Sequence, residues 1–211
     1  MAQQKPEEIR RDWESKYRET PLKDLPWEEG RPSAELVKLV ESGEVPKGPV
    51  LDICTGSGSN AVYLAKQDFA CYGIDISPTA IAYARERAAK EGVSCKLTSG
   101  NAAELPYPDN NFVLVFDRGC FHSLPPESRE AFIKGVHRVL KPGGKYQLIC
   151  FSAKDHPSTS VPYSFSPRDI RRYFSPLFKV QRIEETSHVH EDGTKHLFLS
   201  VLMEKSATGP G

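Results

Sequence analysis

A glycine-containing turn follows the first strongly apolar stretch of the chain, in the segment DICTGSGSN of residues 52–60. Gly56 and Gly58 allow a sharp bend and a close approach of the backbone to a ligand, because no Cβ stands in the way. A helix expected from Asn60 onward would add free amide groups in its first turn. Many glycine turns are only tight turns, so this motif alone is weak evidence for a ligand site.

An aspartate stands where the next apolar stretch ends. Asp75 follows the run that starts at Cys71, and a carboxylate at the end of a second strand can accept hydrogen bonds from both hydroxyls of a ribose. Ser77 fills the N-cap position ahead of Pro78, so Asp75 is not needed as the cap of the next helix. The combination of a glycine turn and an acid also fits NAD-binding proteins, and it leaves the ligand undecided.

Two later turns carry further polar groups, SGNAAELP at residues 99–106 and FDRGCFHSL at residues 116–124. Ligands of open parallel sheets bind beyond the carboxyl ends of the strands. We therefore expect all these turns to share one rim of a sheet; they span residues 53–60, 75–77, 99–104 and 117–124.

The elements that must position these turns alternate between strands and helices. Strand-length apolar runs occupy residues 50–54, 71–76, 93–98, 112–117, 145–151, 178–185 and 196–204. Helical patterns occupy residues 7–19, 33–42, 60–67, 78–91, 126–140 and 166–174. Strands separated by helices indicate parallel pairing through right-handed crossovers, and the short polar loop at 188–195 predicts an antiparallel C-terminal hairpin. The predicted fold is a three-layer α/β sandwich with a mostly parallel seven-stranded sheet.

The domain organisation follows from the same pass along the chain. We expect residues 1–42 to form an N-terminal helical arm that could act as a lid, residues 43–205 to form the main domain, and residues 206–211 to be a disordered tail. A length of 211 residues suits one compact α/β domain.

The charge and cysteine content narrow the function classes. The 28 basic residues balance 28 acidic ones, so the basic excess typical of nucleic-acid binding is missing and a small-molecule partner is favoured. The apolar runs fall short of the ~20 residues that cross a membrane, and we expect a cytoplasmic protein. The 5 cysteines match no zinc spacing, which favours reduced thiols, and the histidines at 188, 190 and 196 lie in a turn far from the expected rim, so we expect no metal.

Four segments, taken in order, resemble the class I S-adenosylmethionine-dependent methyltransferases: LDICTGSGSNAVYLA, YGIDISPTAIAYARERA, SGNAAELPYPDNNF and RVLKPGGKYQLI. The match runs from about residue 48 to residue 151. The resemblance implies a Rossmann-like fold, S-adenosylmethionine as cofactor and methyl transfer as the activity. Four ordered motifs are much more specific than one glycine turn.

The resemblance also implies a role for individual residues. Asp75 would hold the ribose and Ile76 would pack on adenine, while Asp117 and Gly119 would face the sulfonium end. The full set of implied cofactor-binding residues is Asp52, Cys54, Gly56, Gly58, Asn60, Asp75, Ile76, Asn101, Ala102, Ala103, Asp117 and Gly119, with Trp13, Tyr17 and Trp27 of the arm.

Two positions depart from the family pattern. Cys54 stands where the family usually has glycine, and a cysteine adopts positive φ at a greater cost. Asn101 stands where an acid is frequent, and its side-chain oxygen can still accept a hydrogen bond from the adenine amino group.

The fourth turn indicates the subgroup. Residues 117–122 read DRGCFH, without the Asn-Pro-Pro-aromatic motif of nitrogen-methylating enzymes, and they resemble the thiopurine, thiol/halide and tellurite-resistance methyltransferases. Trp13, Tyr17 and the segment PWEEGRP at 26–32 resemble the lid of that group. Aromatic faces suit a sulfonium cation, but the same side chains could simply fix a peripheral helix to the domain, and both interpretations stay open.

The candidate catalytic residues are Arg118, His122 and Asp117. Arg118 could favour a thiolate acceptor, or it could form a salt bridge to a carboxylate at the rim. His122 could take a proton from the acceptor, or it could cap the loop before Pro125. The acceptor itself and the oligomeric state are not encoded in any motif. Two rival functions remain: a dinucleotide-dependent oxidoreductase, and a cofactor-binding module without catalysis.

Overall fold

The computed structural model describes residues 6–154, 162–189, 193 and 195–206. The chain divides into two compact units, residues 1–106 (unit 1) and residues 107–211 (unit 2). The predicted arm of residues 1–42 belongs to unit 1, and of the predicted tail only Ser206 lies within the described residues.

In its described residues, unit 1 contains three parallel strands and four α-helices. Their bounds are α1 Pro6–Glu19, α2 Ala34–Glu41, β1 Pro49–Ile53, α3 Ser59–Lys66, β2 Ala70–Asp75, α4 Pro78–Lys90 and β3 Cys95–Ser99. The strand order is β3-β2-β1, and the register pairs Ile53 with Ile74 and Asp75 with Ser99. The carboxyl ends of the three strands therefore meet at one edge, where the first three predicted turns begin.

Local signals in the sequence explain the start of α4. The Ser77 side chain accepts a hydrogen bond from the backbone N–H of Ala80 at 3.0 Å, and Pro78 occupies the first helical position, as predicted. Ile81 and Ala84 of the same helix are buried in the unit's core. The helix is thus fixed both by its cap and by its apolar face.

Unit 2 contains five strands and two helices in its described residues. Their bounds are β4 Phe112–Arg118, α5 Pro126–Val139, β5 Leu140–Ser152, β6 Ser164–Phe165, α6 Pro167–Phe174, β7 Phe178–Val189 and β8 Lys195–Lys205. The strand order is β4-β5-β8-β7, with β6 beside the end of β5. Strands β4, β5 and β6 are parallel, and β8 runs antiparallel to both β5 and β7.

The predicted fold class, mostly parallel α/β with an antiparallel C-terminal hairpin, is confirmed. Two details of the prediction are wrong. The two-residue strand β6 was not expected, because so short a run carries no periodicity. Strand β5 begins at Leu140 instead of Lys145, because Leu140 already pairs with Phe112 of β4. The pairing then shifts register to Leu114 with Lys145, and the intervening residues, with Gly143 at φ 73°, form an irregularity within the strand. In the described part of the chain, no helix has the length and apolar character to cross a membrane.

Candidate cofactor and acceptor sites

The glycine turn of unit 1 has three left-handed residues in five positions. Cys54 has φ 53°, Gly56 has φ 55° and Gly58 has φ 83°. The left-handed conformation is unfavourable for a non-glycine residue by about 1 kcal/mol or more. Cys54 adopts it where the resembling methyltransferases usually have glycine, so this residue carries that cost. A Cβ on Gly58 would lie 2.8 Å from the Cβ of Ala84, which shows that this glycine lets α3 approach α4 closely.

Asp75 joins the first three turns. One carboxylate oxygen accepts from the backbone N–H of Gly56 at 2.9 Å, and the other accepts from that of Ser77 at 2.9 Å. The carbonyl oxygen of Asp75 accepts from the N–H of Gly100 at 2.8 Å. Burial raises the pKa of the carboxyl to about 6, against the lowering effect of these donors. Within unit 1, the turns predicted to share a rim therefore do meet.

Asp52 and Asn60 fasten the glycine turn at its two ends. The Asp52 carboxylate accepts from the Thr55 hydroxyl at 2.5 Å, and the Asn60 side-chain oxygen accepts from the backbone N–H of Ser33 at 2.9 Å. Asp52 is fully buried, which suits a residue that shapes the turn. Asn60 ties the turn to the N-terminal arm, a contact that the sequence did not predict.

The third turn differs from its predicted role in one contact. The Asn101 side-chain oxygen accepts from the N–H of Ala103 at 3.0 Å, so it is used inside its own turn. The amide oxygen has two lone pairs, so one of them stays available for the adenine amino group, and the amide N–H groups could also donate to a ligand. Ala102 is buried, and Ile76 is partly buried beside the turn.

The aromatic residues of the arm form one cluster in unit 1. The rings of Trp13 and Trp27 lie edge to face with centroids 5.4 Å apart, and the Trp27 indole N–H donates to the Tyr17 hydroxyl at 3.0 Å. A Cβ on Gly56 would lie 2.9 Å from that hydroxyl. Burial raises the pKa of Tyr17 well above its ordinary value, so the phenol stays protonated. These residues do pack the arm onto the domain, and they also bring a protonated hydroxyl to the glycine turn.

Two glutamates of the arm bind the same region, and sequence reasoning missed them. Glu14 accepts from the Ser77 hydroxyl at 2.6 Å and from the Thr79 hydroxyl at 2.6 Å. Glu28 accepts from the Ser57 hydroxyl and from the Arg87 guanidinium, the latter at 3.0 Å. Charged residues in a polar arm are usually solvated, so only the fold reveals that these carboxylates face helix N-termini and turns.

Asp117 of unit 2 is enclosed by its own turn. Its carboxylate accepts from the N–H of Cys120 at 2.8 Å, from the N–H of Phe121 at 3.3 Å and from the Tyr146 hydroxyl at 2.8 Å. Burial raises the pKa of Asp117 to about 7. The side chain holds the turn that follows β4 against the neighbouring strand β5. Arg118, the next residue, is partly buried at the end of β4.

His122 is oriented by strand β5. Its Nδ1 accepts from the backbone N–H of Phe151 at 3.3 Å, and its ring stacks on the Phe151 ring with centroids 4.8 Å apart. A neutral imidazole that accepts at Nδ1 carries its proton on Nε2. A Cβ on Gly119 would lie 3.3 Å from that Nε2 atom, which places the protonated nitrogen beside the Asp-Arg-Gly turn.

Arg129 is a further residue that sequence reasoning missed. Arg129 is only 5% exposed, and its guanidinium lies 4.4 Å from the Tyr163 ring centroid and 5.0 Å from that of Phe165. It donates to the Tyr173 hydroxyl at 3.0 Å. An arginine in a polar helix pattern reads as solvated, and its aromatic partners are far away in the sequence. Tyr163 and Phe165 pack around this cation.

The cysteines are not all reduced. Cys71, Cys95 and Cys150 are free thiols, whereas Cys54 and Cys120 are disulfide-bonded, so the expectation of reduced thiols is wrong for those two. Within the described ranges, no group of three His, Cys, Asp or Glu side chains could hold a metal ion. Of the three histidines discussed above, His190 lies outside those ranges.

Comparison with known proteins identifies the family. A family model for a methyltransferase domain matches residues 50–144. The 2-heptyl-1-hydroxyquinolin-4(1H)-one methyltransferase of Mycobacteroides abscessus is 32% identical over 177 residues, which cover 81% of this chain and 78% of that protein. The chain belongs to the class I S-adenosylmethionine-dependent methyltransferases. The chain is therefore assigned to the methyltransferases and not to the dinucleotide-dependent oxidoreductases, the rival class considered from the sequence.

One further relative and one solved structure are also similar to this chain. Thiocyanate methyltransferase 1 of Arabidopsis thaliana is 28% identical over 176 residues, with 77% of this chain and 72% of that protein covered. A solved structure concerned with the conversion of a disulfide bond into a thioacetal group during echinomycin biosynthesis has a TM-score of 0.81 and 25% identity, covering 94% of this chain and 92% of that one. The protein is thus an S-adenosylmethionine-dependent methyltransferase with small-molecule-methylating relatives.

Proposed function

We propose that this methyltransferase transfers the methyl group of S-adenosylmethionine to a small acceptor that arrives as an anion, either a thiolate-like sulfur or an acidic oxygen on a heteroaromatic ring. The observation that carries the proposal is the hydrogen bond that the Phe151 backbone N–H donates to Nδ1 of His122. Because Nδ1 accepts from the Phe151 backbone, Nε2 is a donor and has no lone pair for a proton. His122 is then suited to hold an anion by a hydrogen bond instead of removing a proton from a neutral acceptor.

The cofactor supplies an electrophilic methyl group on a sulfonium centre, and the protein supplies alignment and a dry environment. Unit 1 has the groups for its binding. The buried Asp75 carboxylate is held by backbone donors, which it would exchange for the two ribose hydroxyls. Tyr17 accepts from Trp27, so its own O–H is available to donate near Gly56.

The other predicted cofactor-binding residues would contact different parts of the cofactor. Asp52, Cys54, Gly58 and Asn60 would set the shape of the turn around the methionine part. Ile76, Asn101, Ala102 and Ala103 would form the adenine end, where the Asn101 side-chain amide has both N–H donors and a second oxygen lone pair for the base. The aromatic arm of Trp13, Tyr17 and Trp27 would cover the cofactor and exclude water.

In unit 2, the proposed acceptor residues have unequal roles. His122 would touch the acceptor, and Arg118 at the end of β4 would add positive potential that favours the anion. Asp117 would act as a positioning residue, because its carboxylate is engaged by two backbone amides and Tyr146. Gly119 would leave room beside the imidazole, since even a methyl group there would contact Nε2.

The two relatives support an anionic acceptor in different ways. Thiocyanate is an anion at any physiological pH, and the hydroxyquinolone named for the other relative carries an N-hydroxyl group that ionises. The higher identity to the hydroxyquinolone enzyme favours a heteroaromatic oxygen acid as the first candidate. A thiol or thiocyanate acceptor is the second candidate, favoured by the Arabidopsis relative.

The test compares donors at position 122. We expect His122→Gln, which keeps an N–H donor, to retain methyl transfer to 2-heptyl-1-hydroxyquinolin-4(1H)-one or thiocyanate within about threefold, and His122→Ala to lose about 10- to 100-fold in kcat/KM. His137→Gln on α5 is the matched control and should have no effect. Product formation is followed by mass spectrometry between pH 5 and pH 9.

Two outcomes would contradict the proposal. Equal inactivity of His122→Gln and His122→Ala, with a wild-type rate that follows a histidine pKa for an acceptor without a titrating group, would indicate a general base. Binding of S-adenosylhomocysteine without methyl transfer to any ionised thiol, thiocyanate or ring oxygen would indicate a cofactor-binding module.

A further inference from the structure

Two free cysteines lie directly opposite each other at the amino ends of neighbouring strands in unit 1. The register of the parallel pair β2–β3 places Cys71 beside Cys95. Neighbouring strands are about 4.8 Å apart, which falls inside the Cα separation that a disulfide can bridge. Side chains at paired positions of parallel strands point to the same face, so both thiols project toward the same layer of the unit.

The sulfur atoms confirm that the two side chains converge. The Cys71 Sγ lies 3.1 Å from the carbonyl oxygen of Ala61 in α3, and the Cys95 Sγ lies 3.6 Å from that same oxygen. Both sulfur atoms therefore lie close to the same backbone carbonyl of α3.

The two thiols differ in access and in acidity. Cys71 is 3% exposed, whereas Cys95 is partly exposed. The neighbouring Cys71 thiol lowers the pKa of Cys95, whereas the neighbouring Cys95 sulfur and burial raise the pKa of Cys71. An accessible, more acidic thiol beside a shielded one is the arrangement of an attacking and a resolving cysteine.

We propose that Cys71 and Cys95 form a redox-active dithiol that closes to a disulfide when the protein meets a peroxide. The Cys95 thiolate attacks one oxygen of hydrogen peroxide, the O–O bond breaks, and water leaves after protonation of the released oxygen. The Cys71 sulfur then attacks the sulfenic acid, an S–S bond forms and a second water leaves. Two thiols and one peroxide thus give one disulfide and two waters.

This site is independent of the proposed methyl transfer. Cys71 lies near the start of β2, and Asp75 ends the same strand, so the dithiol and the proposed ribose-binding carboxylate occupy opposite ends of it. The crosslink would join β3 to β2 and fix the strand that leads into the Asn101 turn.

The experiment maps the bond in the intact protein. The full chain is treated with hydrogen peroxide, quenched in acid, alkylated under denaturing conditions and digested with trypsin without reduction. We expect a linked pair of peptides covering residues 67–85 and 91–96, lighter by two hydrogens than the sum of its free parts and lost on reduction. Cys150→Ser is the matched control and should give the same linked pair.

Single substitutions assign the two roles. Cys71→Ser should leave Cys95 as a sulfenic acid that a dimedone reagent traps, and Cys95→Ser should lower the oxidation rate of Cys71 at least about tenfold. The proposal fails if wild-type protein shows only higher oxidation of Cys95 without the linked peptides, or if Cys71 oxidises at the same rate in Cys95→Ser. The wild-type peptide map decides the matter even if a variant does not fold.

Discussion

Asp75 in unit 1 and Asp117 in unit 2 are buried aspartates at the carboxyl ends of parallel strands, and their surroundings differ. Among the described residues, the Asp75 carboxylate accepts from backbone N–H groups of turns, those of Gly56, Ser77 and Ile76. Asp117 accepts from two backbone N–H groups and also from the hydroxyl of Tyr146, a fully buried side chain on β5.

We propose that the difference separates a ligand-binding carboxylate, Asp75, from a structural one, Asp117. The donors around Asp75 belong to connections that the N-terminal arm touches, so a cofactor's hydroxyls could take their place at small cost to the core. Removal of the Tyr146 donor from Asp117 would leave a buried carboxylate partly unsatisfied inside a packed sheet, which is expensive. Similar burial and similarly raised pKa values therefore accompany different functions.

The largest expected effect comes from the turn that supplies the Gly56 donor to Asp75. Gly58→Ala should lower the free energy of unfolding by about 3 kcal/mol, since its Cβ would clash with Ala84 and its positive φ would be strained. Urea denaturation measures the loss. Gly92→Ala is the matched control, because Gly92 has φ +65° and open space around it, and should cost about 1 kcal/mol. Equal losses in both variants would show that the contact with Ala84 carries no energy.

Tyr146→Phe tests the structural assignment of Asp117. We expect a loss of about 2 kcal/mol in the free energy of unfolding, because a buried carboxylate loses one donor. The dissociation constant for S-adenosylhomocysteine, measured calorimetrically on the folded protein, should stay within twofold. A weaker cofactor complex with unchanged stability would reverse the assignment.

Asp75→Asn probes the other side of the comparison. The substitution should weaken S-adenosylhomocysteine binding about tenfold, because a neutral amide oxygen accepts hydrogen bonds from the ribose less strongly than a carboxylate. Calorimetry and a thermal shift with the ligand give the two readings. Unchanged affinity in this variant would exclude Asp75 as the ribose-binding residue.

Both aspartates should contribute to the pH dependence of the free energy of unfolding. Their folded-state pKa values of about 6 and about 7 lie above the ordinary value of 3.8, so the native protein binds more protons than the unfolded chain between these limits. Stability should therefore fall as pH rises, by about 1 kcal/mol between pH 6 and pH 7. Asp75→Asn should flatten the part of the slope near pH 6, as measured by urea midpoints of the ligand-free protein. A slope that the substitution leaves intact would assign it to other groups.

Much of the fold could be predicted because its signals are local. The cap at Ser77, the proline at 78 and the alternation of apolar runs each depend on neighbouring residues, and the predicted elements lie within a few residues of those observed. The cost of a cysteine at position 54 was also foreseen, and its φ of 53° bears that out.

The contacts that the sequence did not reveal all depend on distant residues. Glu14 and Glu28 meet partners far along the chain, and Arg129 is surrounded by rings that come from separate segments. The oxygen of Asn101 was assigned to a ligand because a resemblance describes a family's bound state, whereas here its own turn supplies one partner. Whether the Asp-Arg-Gly turn joins the cofactor rim stays a prediction.

The glutamate contacts of the arm also set an order of events during synthesis. Glu14 leaves the ribosome before its partners Ser77 and Thr79, which follow 63 and 65 residues later in the chain. The contacts between Glu28 and Arg87 span 59 residues. The arm can therefore make these contacts only after the residues of α4 have been translated.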